Sequence, residues 1–361
     1  MGDNSAVIPA PSPPPRRGAA GNPPNRFERV ALERDADWDP AQDPLPATRF
    51  LKDRSQTIIS YNDSPDVGFA ASVNPYRGCE HGCAYCYARP THEYLGFSAG
   101  LDFETKILVK ADAPQLLRRE LSSPGWKPQI IALSGVTDCY QPIERRLQLT
   151  RRCLAVLAEF RNPVTIVTKN LLVTRDLDWL ADLARYQAAA VFISITTLDP
   201  DLRHLLEPRT SPPTARLSAI ERLAHAKIPV GLLLAPVIPA LTDHEIPAIL
   251  KAAAAAGAKF AGYTTLRLPY AVAPLFEDWL TRHFPERKDK VLHRVRDLRD
   301  GQLNDARFGS RMRGEGIFAE QIERIFTVAR RKVGLAGNGP NLSPAAFRRP
   351  ADAQMEFTLP P

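Results

Sequence analysis

The chain has 361 residues, 44% of them hydrophobic, enough apolar material for one large core or two small ones. It carries 47 Lys and Arg against 40 Asp and Glu, a formal charge of +7, which permits a polyanionic partner such as nucleic acid without requiring one. No run of about 18 apolar residues is present and no basic-then-apolar leader opens the chain, so neither a membrane span nor a secretory signal is predicted, and a cytoplasmic protein is expected.

Residues 1–48 are rich in Pro, Arg and Asp and have no apolar period. Such a segment cannot bury enough surface to offset its ordering entropy, so 1–48 is predicted to be disordered, with Arg16, Arg17, Arg26 and Arg29 solvated. Order is expected from Thr48. Thr57–Tyr61 reads as a strand, ended by Asn62-Asp63-Ser64-Pro65, and Phe69–Val73 as the strand that leads into the next segment.

That segment is Cys79-Glu80-His81-Gly82-Cys83-Ala84-Tyr85-Cys86, which holds three of the five cysteines in a C-x3-C-x2-C spacing. Thiolates are soft ligands, and three so close in sequence reach one metal centre only if the backbone folds tightly around it. Gly78 and Gly82 permit that folding. A four-iron cluster usually takes four thiolates, so three leave one iron open to a small molecule. The alternative is a Cys3His zinc site in a structural or nucleic-acid-binding protein, with His81 and His92 as the histidines near in sequence. Too few cysteines remain for a disulfide scaffold or a second cluster, which points to a reducing compartment and a single metal site.

From here apolar runs recur about every 30 to 40 residues with a helix between each pair, the pattern of parallel βα units. The strands are expected at Gln129–Leu133, Val164–Val167, Val191–Ile195, Val230–Leu234 and Phe260–Thr264. The helices are expected at Glu144–Phe160, Thr174–Arg185, after Asp199-Pro200, at Ala215–Ala226, and from a capping box at Thr242–Glu245 to Ala256. Beyond Pro274 the chain turns helical and charged, with a basic stretch from Arg282 to Arg299 read as a solvated face and a last helix at Gly316–Lys332. Four regions result: a disordered 1–48, an α/β domain at 49–272, a helical extension at 273–334 and a disordered tail at 335–361.

The string C-x3-C-x-(aromatic)-C, with Tyr85 as the aromatic, resembles the signature of the radical S-adenosylmethionine (SAM) enzymes. The wider string, Asn74–Cys79 and Cys86–Arg89, resembles the spore photoproduct lyase branch of that family. The resemblance implies a partial, open (β/α)6 TIM-type barrel. It implies a [4Fe-4S] cluster on Cys79, Cys83 and Cys86, whose open iron chelates SAM. A one-electron reductant of flavodoxin or ferredoxin type then drives cleavage of SAM to methionine and a 5′-deoxyadenosyl radical, with lyase chemistry and DNA repair as the branch's precedent.

In parallel βα folds the site lies at the C-terminal ends of the strands. By the same resemblance, Ser134, Gly135 and Asp138 lie where relatives approach the amino group of SAM, although relatives often carry Gly-Gly-Glu there. Lys169 suits the SAM carboxylate, Ser194 and Thr196 its carboxylate or ribose, Arg216 the same groups, and Ala235 the adenine through backbone atoms. Cys139, or its neighbour Tyr140, is the candidate hydrogen-atom donor, since the lyases use a thiol in this neighbourhood. The lyase donor's own place falls on Gly135. Cys153, within a helix, reads as a small buried hydrophobe.

Overall fold

The computed structural model describes residues 17–28, 46–335, 337 and 339–350. Ten strands lie among them: β1 Arg49–Lys52, β2 Ile59–Tyr61, β3 Ala71–Val73, β4 Tyr76–Arg77, β5 Lys106–Val109, β6 Ile131–Leu133, β7 Val164–Thr168, β8 Ala189–Ser194, β9 Val230–Val237 and β10 Phe260–Thr265. Seven form one sheet in the order β10-β9-β8-β7-β6-β3-β2. The six from β3 to β10 in that sheet run parallel, and β2 closes the edge antiparallel to β3, with Ile59 opposite Val73. The sheet is open, with β10 and β2 as its edges. A separate small sheet, β1-β5-β4, was not anticipated; it carries the chain into and away from the cysteine segment.

The parallel strands are short and almost wholly buried, as strands covered on both faces must be. The main core joins them to the helices Ala113–Ser122, Leu149–Phe160, Leu177–Ala184, Pro213–His225 and Ile246–Ala255. Residues such as Leu154, Leu157, Leu180, Leu183 and Leu223 are fully buried there, each contributing about 2 kcal/mol. A second core gathers Cys83, Ala84 and Tyr85 with Leu206, Ile238, Leu266, Phe276 and Trp279. The cysteine loop is therefore packed against the helix Val272–His283, while the helix Ile317–Lys332 packs into the main core. Residues 273–334 belong to both cores. Among the described residues no helix is long and apolar enough to cross a membrane.

Several expectations need correction. Asp199 caps its helix as its sequence predicts, accepting from the amides of Asp201 and Leu202. Thr242 does not: its hydroxyl accepts from the Ile238 amide, and the Glu245 carboxylate turns away to the Leu198 amide and Thr197 hydroxyl. The capping-box residues fasten a loop after β9, and the helix begins only at Ile246. Residues 17–28 are not a free tail, and neither are residues 339–350. In the latter, the Phe347 ring lies tilted against that of Phe160, with centroids 6.1 Å apart, and Arg349 donates to the carbonyls of Ser123 and Trp126. Residues 1–16, 29–45, 336, 338 and 351–361 lie outside the described residues.

Candidate active site

The cysteine loop follows β3 and β4 directly, and its shape depends on glycine at two points. Gly78 has φ +79° and Gly82 φ +64°, a region that side chains resist. A Cβ on Gly78 would also stand 2.9 Å from the Phe103 carbonyl, and one on Gly82 2.6 Å from Glu104 Oε2. The Cys79 amide donates to the Phe103 carbonyl at 2.9 Å. Cys79 and Cys83 are buried and Cys86 partly so, and none is in a disulfide. Burial pushes all three thiols above their ordinary range; at Cys79 the Asp138 carboxylate adds to this, and at Cys86 the Arg89 guanidinium opposes it.

Which group suits these thiols is decided by their neighbours. Among the described residues no three His, Cys, Asp or Glu side chains gather closely enough to hold a single metal ion. Zinc, with sulfur ligands at about 2.3 Å, needs that convergence. His81 is not free to complete such a shell. Its Nδ1 lies 3.3 Å from Asp138 Oδ2 and its Nε2 3.3 Å from Asn170 Nδ2. His92 is packed between Phe97 and Phe103, and this apolar burial holds its pKa down at about 4. Three free thiols on one glycine-shaped loop, with neither histidine available as a fourth donor, fit an iron–sulfur cluster held by three cysteines.

Beside the loop, the ends of β7, β8 and β9 bring four of the sequence-predicted residues together. Lys169 Nζ donates to Ser194 Oγ at 2.7 Å, to the Ala235 carbonyl at 2.8 Å and to Thr196 Oγ1 at 3.3 Å. It also lies 3.2 Å from Glu207 Oε1. Ser194 and Thr196 share the Ala235 carbonyl, so that oxygen ties strand ends together and is not a free contact for a base. Glu207, which sequence reasoning did not single out, is the hub. Its fully buried carboxylate accepts from the hydroxyls of Tyr85 and Thr196 and from the Arg216 guanidinium. Burial alone would raise its pKa, but Arg216 and Lys169 outweigh that and hold the carboxyl well below the usual range. Tyr85, the aromatic between the second and third cysteines, is thereby latched to the sheet. One sequence signal pointed to Glu207. It follows Leu205-Leu206 at the C-terminal end of a helix, where the dipole disfavours an anion unless a tertiary partner holds it.

Arg216 is a correction. It is 1% exposed, and it donates to Glu207, to the carbonyls of Ser194 and Ser211, and to Thr210 Oγ1. With those donors committed, it braces the strand ends. Asp138 is likewise a brace. It accepts from Thr168 Oγ1 at 2.8 Å and from the amides of Tyr140 and Lys169 at 2.9 Å, besides its contact with His81. Burial opposes its charge, yet His81 and these donors hold its carboxyl below the ordinary range.

Ser134 takes φ +84°, and its hydroxyl donates to the Thr137 carbonyl and accepts from the Cys139 amide, so it shapes the turn after β6. Gly135 is needed there, because a Cβ would lie 2.8 Å from that of Ser72. Its carbonyl accepts from the half-exposed Tyr87 hydroxyl, so this turn is tied to the residue that follows the third cysteine. Cys139 and Tyr140 do not join the site. Both are fully buried in the main core with Cys153; burial pushes the Cys139 thiol far up, and the Tyr140 hydroxyl is committed to Asp176. The turn at Ser134–Asp138 rotates them into the helix layer, away from their predicted role.

A profile of the Radical SAM superfamily matches residues 73–253, which contain the loop, β6 to β9 and every strand-end residue above. An uncharacterised protein of Mycobacterium tuberculosis (H37Rv) is 39% identical over 232 residues, covering 64% of this chain and 67% of the relative. One from Methanocaldococcus jannaschii is 29% identical over 196 residues, 54% of this chain and 70% of the relative. Among solved structures, spore photoproduct lyase complexed with dinucleoside spore photoproduct matches with a TM-score of 0.57 over 80% of each chain at 14% identity. A mutant of that lyase, with bound AdoMet and the same dinucleoside, gives 0.56 over 80% of this chain and 79% of that one at 16% identity. At those identities the likeness is one of fold.

Proposed function

This chain belongs to the radical SAM superfamily, and from that premise we propose that Cys79, Cys83 and Cys86 hold a [4Fe-4S] cluster with which it cleaves SAM reductively. The observation that carries the reading is the placement of three free cysteines on one glycine-shaped loop, latched through Tyr85 to the polar ends of three parallel strands. When bound, the cluster and SAM supply a one-electron cleavage of a sulfonium and a 5′-deoxyadenosyl radical that abstracts hydrogen.

The chain's own residues orient and enclose. Lys169 presents a positive charge at the strand ends, and a ligand carboxylate would take over the acceptor places now filled by Ser194 and Thr196, whose hydroxyls can turn to donate. Glu207 holds Lys169 and Thr196, and Arg216 holds the Ser194 carbonyl. The Ser134–Gly135 turn is tied through the Tyr87 hydroxyl to the residue after the third cysteine. The open sheet, with a loop at the C-terminal end of its first parallel strand, is consistent with a partial (β/α)6 barrel. A flavodoxin- or ferredoxin-type reductant would supply the electron. Nucleic acid is the substrate class we propose to test first, because the lyase of similar fold holds a dinucleoside and this chain is net basic.

Anaerobic reconstitution followed by SAM cleavage tests the reading. The loaded chain should be brown, hold iron and sulfide, and release methionine and 5′-deoxyadenosine with dithionite. Cys79→Ala, Cys83→Ala and Cys86→Ala should each abolish release. A colourless chain with stoichiometric zinc would refute the assignment. Turnover with DNA, RNA and cell-extract fractions then sorts the substrate.

A further inference from the structure

Residues 17–28, outside the profile-matched region, are stitched to the back of the cysteine loop, and a single buried carboxylate joins the two. Glu104 is 0% exposed. Its Oε1 accepts from the Ala19 amide at 2.9 Å and from Arg89 Nη2 at 2.6 Å, and its Oε2 from the Gly18 amide at 3.1 Å. Arg89, also 0% exposed, donates from Nε and Nη2 to the Cys83 carbonyl at 3.1 and 2.9 Å. One carboxylate thus holds the carbonyl of a cysteine on one side and the N-terminal segment on the other.

The fit is backbone against backbone. A Cβ on Gly18 would stand 1.8 Å from the Gly82 carbonyl oxygen, and one on Gly100 2.0 Å from that of Gly21. The Leu101 amide donates to the Gly21 carbonyl at 3.1 Å, and the Asn25 amide group donates to the Glu93 carbonyl at 2.9 Å. A tail resting on the surface by chance would not need glycine at both contact points. Without the segment, the Glu104 carboxylate would lose two of its three donors.

We infer that Glu104 is a positioning residue for the cluster. Through Arg89 it fixes the Cys83 turn, and through Gly18 and Ala19 it fastens residues 17–28 as a wall over the Gly82–Cys83 backbone that limits access of water and oxygen. This rests on the cluster assignment made above. The segment, and not only the matched core, then governs how long the cluster survives in air and how its reduced state is tuned.

The test uses the full chain, reconstituted anaerobically, as wild type and Gly18→Ala, a change that displaces the wall and leaves the cysteines, Arg89 and Glu104 in place. Both should start with equal iron and sulfide. On exposure to air the variant should bleach about tenfold faster, the effect of losing one charge-assisted hydrogen bond from the closed state. The electron paramagnetic resonance signal of its dithionite-reduced cluster should also shift. Equal bleaching and an unchanged signal would overturn the inference. Hydrogen exchange on the unmodified chain gives a reading that does not depend on the variant's folding. The Gly18 and Ala19 amides should be protected, and exchange at free-chain rates would overturn the inference as well. A wild type that takes up no iron would sink the cluster assignment and this inference with it; a loaded wild type indistinguishable from Gly18→Ala sinks this inference alone.

Discussion

Replacing Glu207 by Gln tests whether the strand ends are held by charge or merely by shape. The substitution keeps the size of the side chain and an acceptor oxygen but removes the negative charge. Arg216, 1% exposed, then has no anion beside it, and the Lys169 ammonium loses the carboxylate 3.2 Å away. Breaking a buried pair by removing one partner costs about 3–5 kcal/mol, because the other charge stays desolvated. Urea denaturation of the cluster-free chain at pH 7 should show a loss of that size for Glu207→Gln. The pH dependence follows from the depressed carboxyl. Since Glu207 in the folded chain titrates well below the 4.5 of an exposed glutamate, its contribution is complete above that value. It is lost as pH falls below it, where the unfolded chain binds a proton that the folded chain does not. The stability curves of wild type and Glu207→Gln should therefore converge below about pH 4. A neutral-pH loss under about 1 kcal/mol, or a gap between the curves that persists in acid, would refute the argument that Glu207 is an ionised hub.

Three further outcomes follow together. Cys139→Ala should leave SAM cleavage and substrate turnover intact while lowering stability by about 1–2 kcal/mol, as for a small core truncation; loss of turnover in a fully folded variant would return Cys139 to the active site. His92 is held at about 4 in the folded chain against 6.5 in an exposed histidine, so the unfolded chain gains a proton there first as pH falls. Stability should drop by about 3 kcal/mol between pH 7 and pH 4 on this account, and His92→Asn should flatten that part of the curve; an unchanged slope in urea titrations would exclude the residue. Asp138→Asn should lower stability by about 1–3 kcal/mol with the reconstituted iron content preserved, since Asp138 braces His81, Thr168 and Lys169 and is not a ligand; loss of iron would place it nearer the cluster.

The sequence made the chemistry legible where one short motif encodes it. Cys79, Cys83 and Cys86 with Gly78 and Gly82 define a loop by spacing and backbone freedom alone, and period-breaking turns after each apolar run marked where β6 to β10 end. Lys169, Ser194, Thr196 and Ala235 converge because each lies at or near the C-terminal end of a parallel strand, which a strand count can anticipate. Glu207 was hidden for the opposite reason. Its partners lie up to 122 residues away, at Tyr85, and the one local hint, an anion at the C-terminal end of a helix, does not say which partner holds it. The pairing of Arg216 with Glu207 was equally hidden, since a buried carboxylate can satisfy a guanidinium as fully as a ligand can. The N-terminal segment misled most. Its composition offers no apolar period, and its anchorage comes from amides of Gly18 and Ala19 meeting Glu104, an interaction that hydrophobic patterning cannot register.

The scaffold around the cysteines is largely self-neutralising before any cluster arrives. Arg89 faces Glu104, Arg209 faces Glu80, and Lys169 and Arg216 share Glu207. Nothing in this arrangement requires metal to offset a buried charge, so the loop can fold first and load afterwards. The thiols fit the same order. Burial lifts Cys79, Cys83 and Cys86 above the ordinary 9.0, which keeps them neutral in the cluster-free fold at physiological pH. Ligation must then remove their protons, so loading is coupled to proton release. Because the folded pKa values are raised, the neutral thiols favour the fold below about pH 9, and that contribution is lost as pH rises further. Iodoacetamide provides the check, since only the thiolate attacks it. In the folded, cluster-free chain the three loop cysteines should react far more slowly at pH 8 than in denatured chain, and their rates should still be climbing where the denatured chain's have levelled. Matching profiles in the two states would mean that the loop opens to solvent without its cluster, and that metal binding and folding of this segment are one event.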